Sequence, residues 1–349
     1  MISEEDIKFP DIPFMKTAVL ILVGLVLYLG YLYLVGFESL KAALLGADYK
    51  LLLFAAIVSL VGNMFHAGGW WVFLRDMKYK VSFLKAYEIY LSSIFFVNVI
   101  PTAAVSGEVA KIYFVQKADP GSRFDRTLAA GLMSRILEII PVSLGAIAGV
   151  LYVAIYYHIP TWALAFCIVI AVALAAAATI ILAVAMNNDL LRKLTAWSVA
   201  MLGKLFKKGS WNERAERFDR IILQFGGSLK EIAGKKLLIA RALALIFIAW
   251  CFDVSVAYLA FLAIGNPVSP GFVITVFSIM VILQLLPTFL PGGIGFVDIV
   301  MTTLYLAMGI PMAAAAGATI MIRLVTLWFL TLAGSLVTLY LLRRIKANK

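Results

Sequence analysis

Two arginines stand inside long apolar stretches of this chain: Arg135, in Leu132-Met133-Ser134-Arg135-Ile136-Leu137-Glu138, and Arg323, about a third of the way along the last such stretch. An arginine near the middle of a bilayer costs about 2.5–3.5 kcal/mol to insert, so each must face protein, water or a counter-charge. The guanidinium fork matches a phosphate as well as a carboxylate, which leaves open a phosphate-bearing substrate or a structural ion pair. The acidic candidates are Glu108, Glu138, Asp253 and Asp298. Glu138 follows Arg135 by three residues, on the same helical side, and suits an ion pair with it. Glu108 and Asp298 suit an amine, an arginine or a coupling proton, and residue type alone does not rank these roles. His66 reads more simply as a hydrogen-bonded bundle residue than as a proton relay.

The arginines are not isolated features. Asn98-x-x-Pro101-Thr102-x-x-x-x-Gly107 recurs as Gln284-x-x-Pro287-Thr288-x-x-x-x-Gly293, 186 residues later, and Met133-x-Arg135 recurs as Met321-x-Arg323 at an offset of 188. Phe65-His66 matches Phe252-Asp253 more weakly, at 187. Matched arginines in two apolar halves favour a substrate role at a site where the halves meet. Pro101 and Pro287 stop their helices, and Gly107, Gly292, Gly293 and Gly295 permit a tight reversal. A helix restarting near Ser106 or Gly293 would aim unpaired N–H groups at a phosphate oxygen. Pro291-Gly292-Gly293-Ile294-Gly295 carries the stronger of the two turn signals, and Asn98 and Gln284 suit the backbone groups that the prolines free.

The elements that must position these residues are membrane helices. Hydrophobic residues make up 63% of the 349 and charged residues 14%, with a mean hydropathy of +1.00, which excludes an ordinary soluble domain. Uninterrupted spans read at 16–36, 49–74, 127–157, 161–185, 238–264 and 312–342, while 82–116 and 271–309 are broken by Pro and Gly. The first span follows Glu4, Glu5 and Asp6 and reads as a retained helix rather than a signal peptide. Segment 186–237 carries eleven basic residues against five acidic ones, and the tail carries Arg343, Arg344, Lys346 and Lys349, so both belong in the cytoplasm, with the N-terminus on the same side. The broken regions then enter from opposite faces, as re-entrant hairpins of an inverted repeat relating 49–157 to 238–342.

The expected fold is therefore all-α: a polytopic membrane helical bundle of two inverted-topology repeats, each with a broken or re-entrant hairpin. The halves are 1–185 and 238–349, joined by a basic amphipathic linker, 186–237, whose Phe218, Ile221, Ile222, Phe225, Leu229 and Ile232 share one helical face. The net charge of +11 sits in short loops and helix ends, which points to anionic lipid and not to nucleic acid. Cys167 and Cys251 lie in apolar runs, and His66 and His158 lie far apart, so neither a disulfide framework nor a metal site is indicated, and no cofactor is expected.

These motifs resemble the membrane region of the lysylphosphatidylglycerol synthases, a family of flippase-like integral membrane proteins. The likeness rests on Asn98, Pro101, Gly107 and Glu108, then Arg135, then Pro291 to Gly295 and Arg323, and it covers nearly the whole chain. Ser106 departs from the pattern, standing where many relatives have the first Gly of the turn. The resemblance implies movement of lipids, including aminoacylated phosphatidylglycerol, across the cell membrane. The soluble domain that makes such lipids in the family has no counterpart here, so synthase activity is not expected. The expectation is a lipid flippase holding a head-group phosphate with Arg135, Arg323 and the turn amides. Its rivals are a polytopic enzyme acting on a lipid or polyprenyl phosphate, with Glu108 or Asp298 as base, and a non-transporting partner of a lipid-modifying transferase. No clustered histidines, metal-ligand spacing or Ser-His-acid set supports the enzyme.

Overall fold

The computed structural model describes residues 45–100, 105–157, 160–169, 225–285 and 290–347, together with a few single positions elsewhere. Expected span 16–36 apart from single positions such as Gly30, most of 161–185 and all of the linker before residue 225 lie outside the described residues, as do Pro101 and Pro287. The described chain is helical: α1 Tyr49–Asp76, α2 Phe83–Val99, α3 Val105–Ala118, α4 Phe124–Tyr156, α5 Lys236–Ala263, α6 Pro270–Leu285, α7 Phe296–Ala307, α8 Met312–Arg323 and α9 Leu330–Ala347. A wide π-type segment, Leu324–Phe329, runs α8 into α9, so that Met312–Ala347 forms one rod. That rod, α1, α4 and α5 are long and apolar enough to cross a membrane.

Local chemistry sets the helix limits. Asp48 caps α1 by accepting the Lys50 and Leu51 N–H groups at 2.9 and 3.4 Å. Ser82 caps α2 through the Lys85 N–H at 3.3 Å. With 17 residues, α2 reaches only about 25 Å, and it packs on α3, which follows it after a short break. The outer ends of this hairpin meet: the Lys80 N–H donates to Asp119 Oδ2 at 2.8 Å, and the Arg123 N–H donates to Tyr79 Oη at 2.9 Å. Helices α2 and α3 therefore start and finish at one end of the bundle. Helices α6 and α7 form the second hairpin; the end of α7 lies against the end of α5, with the Tyr305 and Phe261 ring centroids 4.8 Å apart.

Helices α1 and α5 pack antiparallel along their length. Asp48 donates its N–H to Ala263 O at 2.7 Å at one end, and the Lys235 ammonium reaches Asp76 Oδ2 at 2.6 Å at the other. That carboxylate raises the Lys235 pKa above its ordinary value. Midway, Phe65 stacks on Phe252 with centroids 5.4 Å apart. Helix α2 packs on α9 and α4 on α6. Both contacts use glycine for close approach: a Cβ at Gly334 would collide with the Leu91 carbonyl oxygen, and one at Gly149 would sit 2.9 Å from the Thr275 backbone nitrogen.

Two apolar cores follow. One gathers Trp70, Phe73, Ile89, Phe96 and Phe114 around the first hairpin; the other gathers Phe261, Val273, Met301, Tyr305 and Met321 around the second. The stretch 225–233 is helical, and Leu229 and Ile232 bury themselves in the first core rather than in an interfacial layer. Outward, Leu53, Phe54 and Ile57 of α1, Leu144, Ile147 and Leu151 of α4, and Leu332, Leu336 and Leu339 of α9 are exposed. A face this apolar matches lipid, not water.

Candidate substrate cavity

A cavity of about 200 Å³ lies between the two cores, walled by both halves. The first half contributes Ser59, Asn63 and His66 from α1, Tyr90, Ile94 and Asn98 from α2, and Arg135, Glu138 and Val142 from α4. The second contributes Ile246, Trp250 and Asp253 from α5, Phe277, Val281 and Gln284 from α6, and Thr326 and Leu330. Pro141 sits inside α4 beside the cavity, one turn beyond Glu138, where it removes a helical hydrogen bond.

The polar wall is a connected ion network. Arg135 donates Nε to Glu108 Oε1 at 3.2 Å and Nη1 to Glu138 Oε2 at 3.1 Å. Glu108 also accepts from Lys111 Nζ at 2.9 Å. Lys111 is 1% exposed, with its ammonium 4.8 Å from the Tyr90 ring centroid and 5.4 Å from that of Trp70, as a buried cation requires. Tyr90 donates its hydroxyl to Glu138 Oε1 at 3.3 Å. His66 closes the set, with Nε2 2.8 Å from Asp253 Oδ2 and Nδ1 3.7 Å from Glu138 Oε1. Three carboxylates thus face two fixed cations and one imidazole. Arg135 keeps its Nη2 edge without a hydrogen-bond partner among the described residues, and its side chain retains 24% exposure.

Arg323 occupies a different site. Its side chain is 3% exposed, Nε donates to Asp298 Oδ1 at 3.2 Å, and Nη2 donates to the Gly292 carbonyl. Asp298 in turn accepts the Gly295 N–H at 2.8 Å, capping α7. The expectation that both guanidinium groups meet around one substrate is corrected here: Arg323 is absent from the cavity lining and fastens the Pro291–Gly295 turn instead. Three of the turn amides are already engaged within the turn. The Gly293 and Ile294 N–H groups donate to Leu290 O and Pro291 O at 3.0 and 3.2 Å, and the Gly295 N–H is taken by Asp298. Positive φ angles at Gly292, Gly293 and Gly295, of 58°, 67° and 83°, close the loop on itself. Pro291 opens the turn and is buried.

In the first hairpin, Ser106 donates its hydroxyl to Phe96 O at 2.9 Å, and Gly107 packs against Ser93 and Val97. Both lie in the first turn of α3, as packing residues between α3 and α2. Asn98 and Gln284 do face the cavity, and Asn98 donates Nδ2 to Thr331 Oγ1 at 2.8 Å.

The sequence reading named Arg135, Glu108, Glu138 and Asp253, and the fold brings all four into one network. It gave no role at the site to Tyr90 or Lys111 and treated His66 as a bundle residue. The clue to His66 was its match to Asp253 across the halves; Tyr90 had no comparable signal.

An apolar bundle enclosing a charged cavity defines a multi-pass integral membrane protein. Residues 17–334 match the family described as the Lysylphosphatidylglycerol synthase TM region, and the chain belongs to that family. It is similar to a UPF0104 membrane protein of Pyrococcus horikoshii, 27% identical over 93% of this chain and 97% of the relative. A second, from Methanothermobacter thermautotrophicus, is 25% identical over 91% and 94%. A third, from Methanocaldococcus jannaschii, is 23% identical over 96% and 97%.

Proposed function

We propose that the protein is a lipid flippase whose two halves form an inverted repeat about an axis passing between α1 and α5. Helices α5, α6 and α8 begin 187, 187 and 188 residues after α1, α2 and α4. Exchanging the halves exchanges the α2–α9 packing with α6–α4 and the first hairpin with the second, and it leaves α1–α5 unchanged. Repeat mates line the cavity in pairs: Asn63 and Trp250, His66 and Asp253, Tyr90 and Phe277. On this reading each hairpin is re-entrant, and both termini are cytoplasmic.

The observation that carries the reading is the charged, partly exposed Arg135 network inside a cavity shared by both halves of an apolar bundle. The wall is chemically unequal. Where the first half presents Ser59, Asn63 and Tyr90, the matched positions are Ile246, Trp250 and Phe277. A phospholipid fits such a site with its phosphate on the open Nη2 edge of Arg135 and its glycerol region against the second half. An amine on the head group would face Asp253 and Glu138, which suits zwitterionic or aminoacylated lipids. Rocking of one half against the other would expose the cavity to each leaflet in turn.

Reconstitution into liposomes carrying leaflet-labelled phospholipids tests this. Native protein should exchange lipid faster than empty vesicles, and Arg135→Ala should lower the rate about tenfold or more, since one hydrogen bond to a charged group is worth about 1.5–3 kcal/mol. Exchange at the empty-vesicle rate across anionic, zwitterionic and aminoacylated lipids rejects the proposal.

A further inference from the structure

Away from the central cavity, a second cavity of about 580 Å³ opens at the basic end of the bundle. Lys80 reaches it from the connection before α2, Lys85 from the first turn of α2, Lys117 from the end of α3 and Arg344 from the last turns of α9. Leu341 and Ile345 supply an apolar side. No carboxylate among the described residues lines it. Lys85 is paired with Glu88 at 3.0 Å, but Lys80, Lys117 and Arg344 make no ion pair among the described residues. Asp119, between the lining residues Ala118 and Pro120, is engaged by the Lys80 and Gly121 backbone N–H groups at 2.8 and 3.1 Å.

Basic residues at this end accord with the charge bias of membrane flanks. That bias scatters charge along loops; it does not require three separate elements to turn their cations toward one hollow that lacks an acid. Like charges gathered this way repel, and a bound anion relieves the repulsion. The volume suits a head group, and Phe114, Leu341 and Ile345 give the cavity an apolar side.

We infer that this cavity binds the phosphate head group of an anionic phospholipid, with at least two cations on one phosphate. It is a site separate from the translocation cavity, and it stands whether or not that cavity moves lipid. The lipid is chosen over a soluble phosphate because Phe114, Leu341 and Ile345 give the cavity an apolar side and its cations stand at the basic flank of a membrane bundle.

The test is a binding titration of the purified full chain with short-chain phosphatidic acid, short-chain phosphatidylcholine and inorganic pyrophosphate. Phosphatidic acid should bind best, and Lys117→Gln with Arg344→Gln should weaken it about tenfold or more. The swap Lys117→Arg with Arg344→Lys should keep most of the affinity, which separates a lost site from a misfolded protein. Lys236→Gln with Arg241→Gln removes the same charge from exposed positions at the same end, outside the cavity, and should leave binding unchanged. Equal losses in the two neutralised pairs would overturn the inference, as would pyrophosphate binding without phosphatidic acid binding.

Discussion

Two arginines at matching positions have come to do different work. Arg323 is enclosed by Asp298 and the Gly292 carbonyl, so Arg323→Ala leaves a buried carboxylate without its partner and should destabilise the protein by about 3–5 kcal/mol. Arg323→Leu combined with Asp298→Leu should cost less than the single alanine change, because no lone charge remains, although the α7 cap is lost. Thermal unfolding of the purified variants measures both; a double variant less stable than Arg323→Ala would contradict the pairing. Arg135 shares its carboxylates with Lys111, Tyr90 and His66, so its removal leaves no carboxylate alone. Arg135→Ala should accordingly be milder in stability than Arg323→Ala while losing more lipid exchange. The type and burial of both arginines were legible in the sequence. Their divergence was not, because it depends on which way each side chain leaves its helix.

At the scale of elements, the separation of α2 from α3 and of α6 from α7 was legible because Pro and Gly interrupt apolar runs that otherwise continue. The tightest contacts were less so: Gly149 and Gly334 look like tolerated helical glycines until α6 and α2 are laid against them. Gly334→Leu drives a side chain into the Leu91 carbonyl, and the neighbouring Ser92–Thr338 hydroxyl bond of 2.7 Å lies on the same seam. Separating α9 from α2 should therefore lower stability by about 1–3 kcal/mol and reduce lipid exchange, because this seam ties the end of one half to the hairpin of the other. Gly30, at which an added Cβ meets nothing within 4 Å, supplies the control: Gly30→Ala should be neutral in the same unfolding assay. The π segment Leu324–Phe329 was not foreseen, since nothing in its composition breaks an α-helix; it lies between Arg323 and the cavity residue Leu330, where a change of helical pitch re-aims the residues that follow.

For the whole molecule, the offset between halves points beyond sequence similarity to membrane topology. The hairpin ends at residues 77–82 and 119–123 are joined by hydrogen bonds at the end of the bundle that also holds Asp76 and Lys235. The connection at 264–269 and the turn after α7 lie at the opposite end, near the Asp48–Ala263 contact. If the halves are inverted in the membrane, a thiol at position 121 and one at position 266 must face opposite compartments. In a background with Cys167 and Cys251 replaced, Gly121→Cys should react with an impermeant maleimide only after the membrane is opened, whereas Asn266→Cys should react in intact cells. Both substitutions are well tolerated by their surroundings: Gly121 and Asn266 lie in connections, and a Cβ at Gly121 meets only Asp119 Oδ1 at 3.4 Å. Labelling of both from one side would remove the in-plane axis, and with it the argument that one cavity is presented alternately to two leaflets. Opposite labelling would support the proposed in-plane axis between α1 and α5, which are joined at their centre by His66 and Asp253.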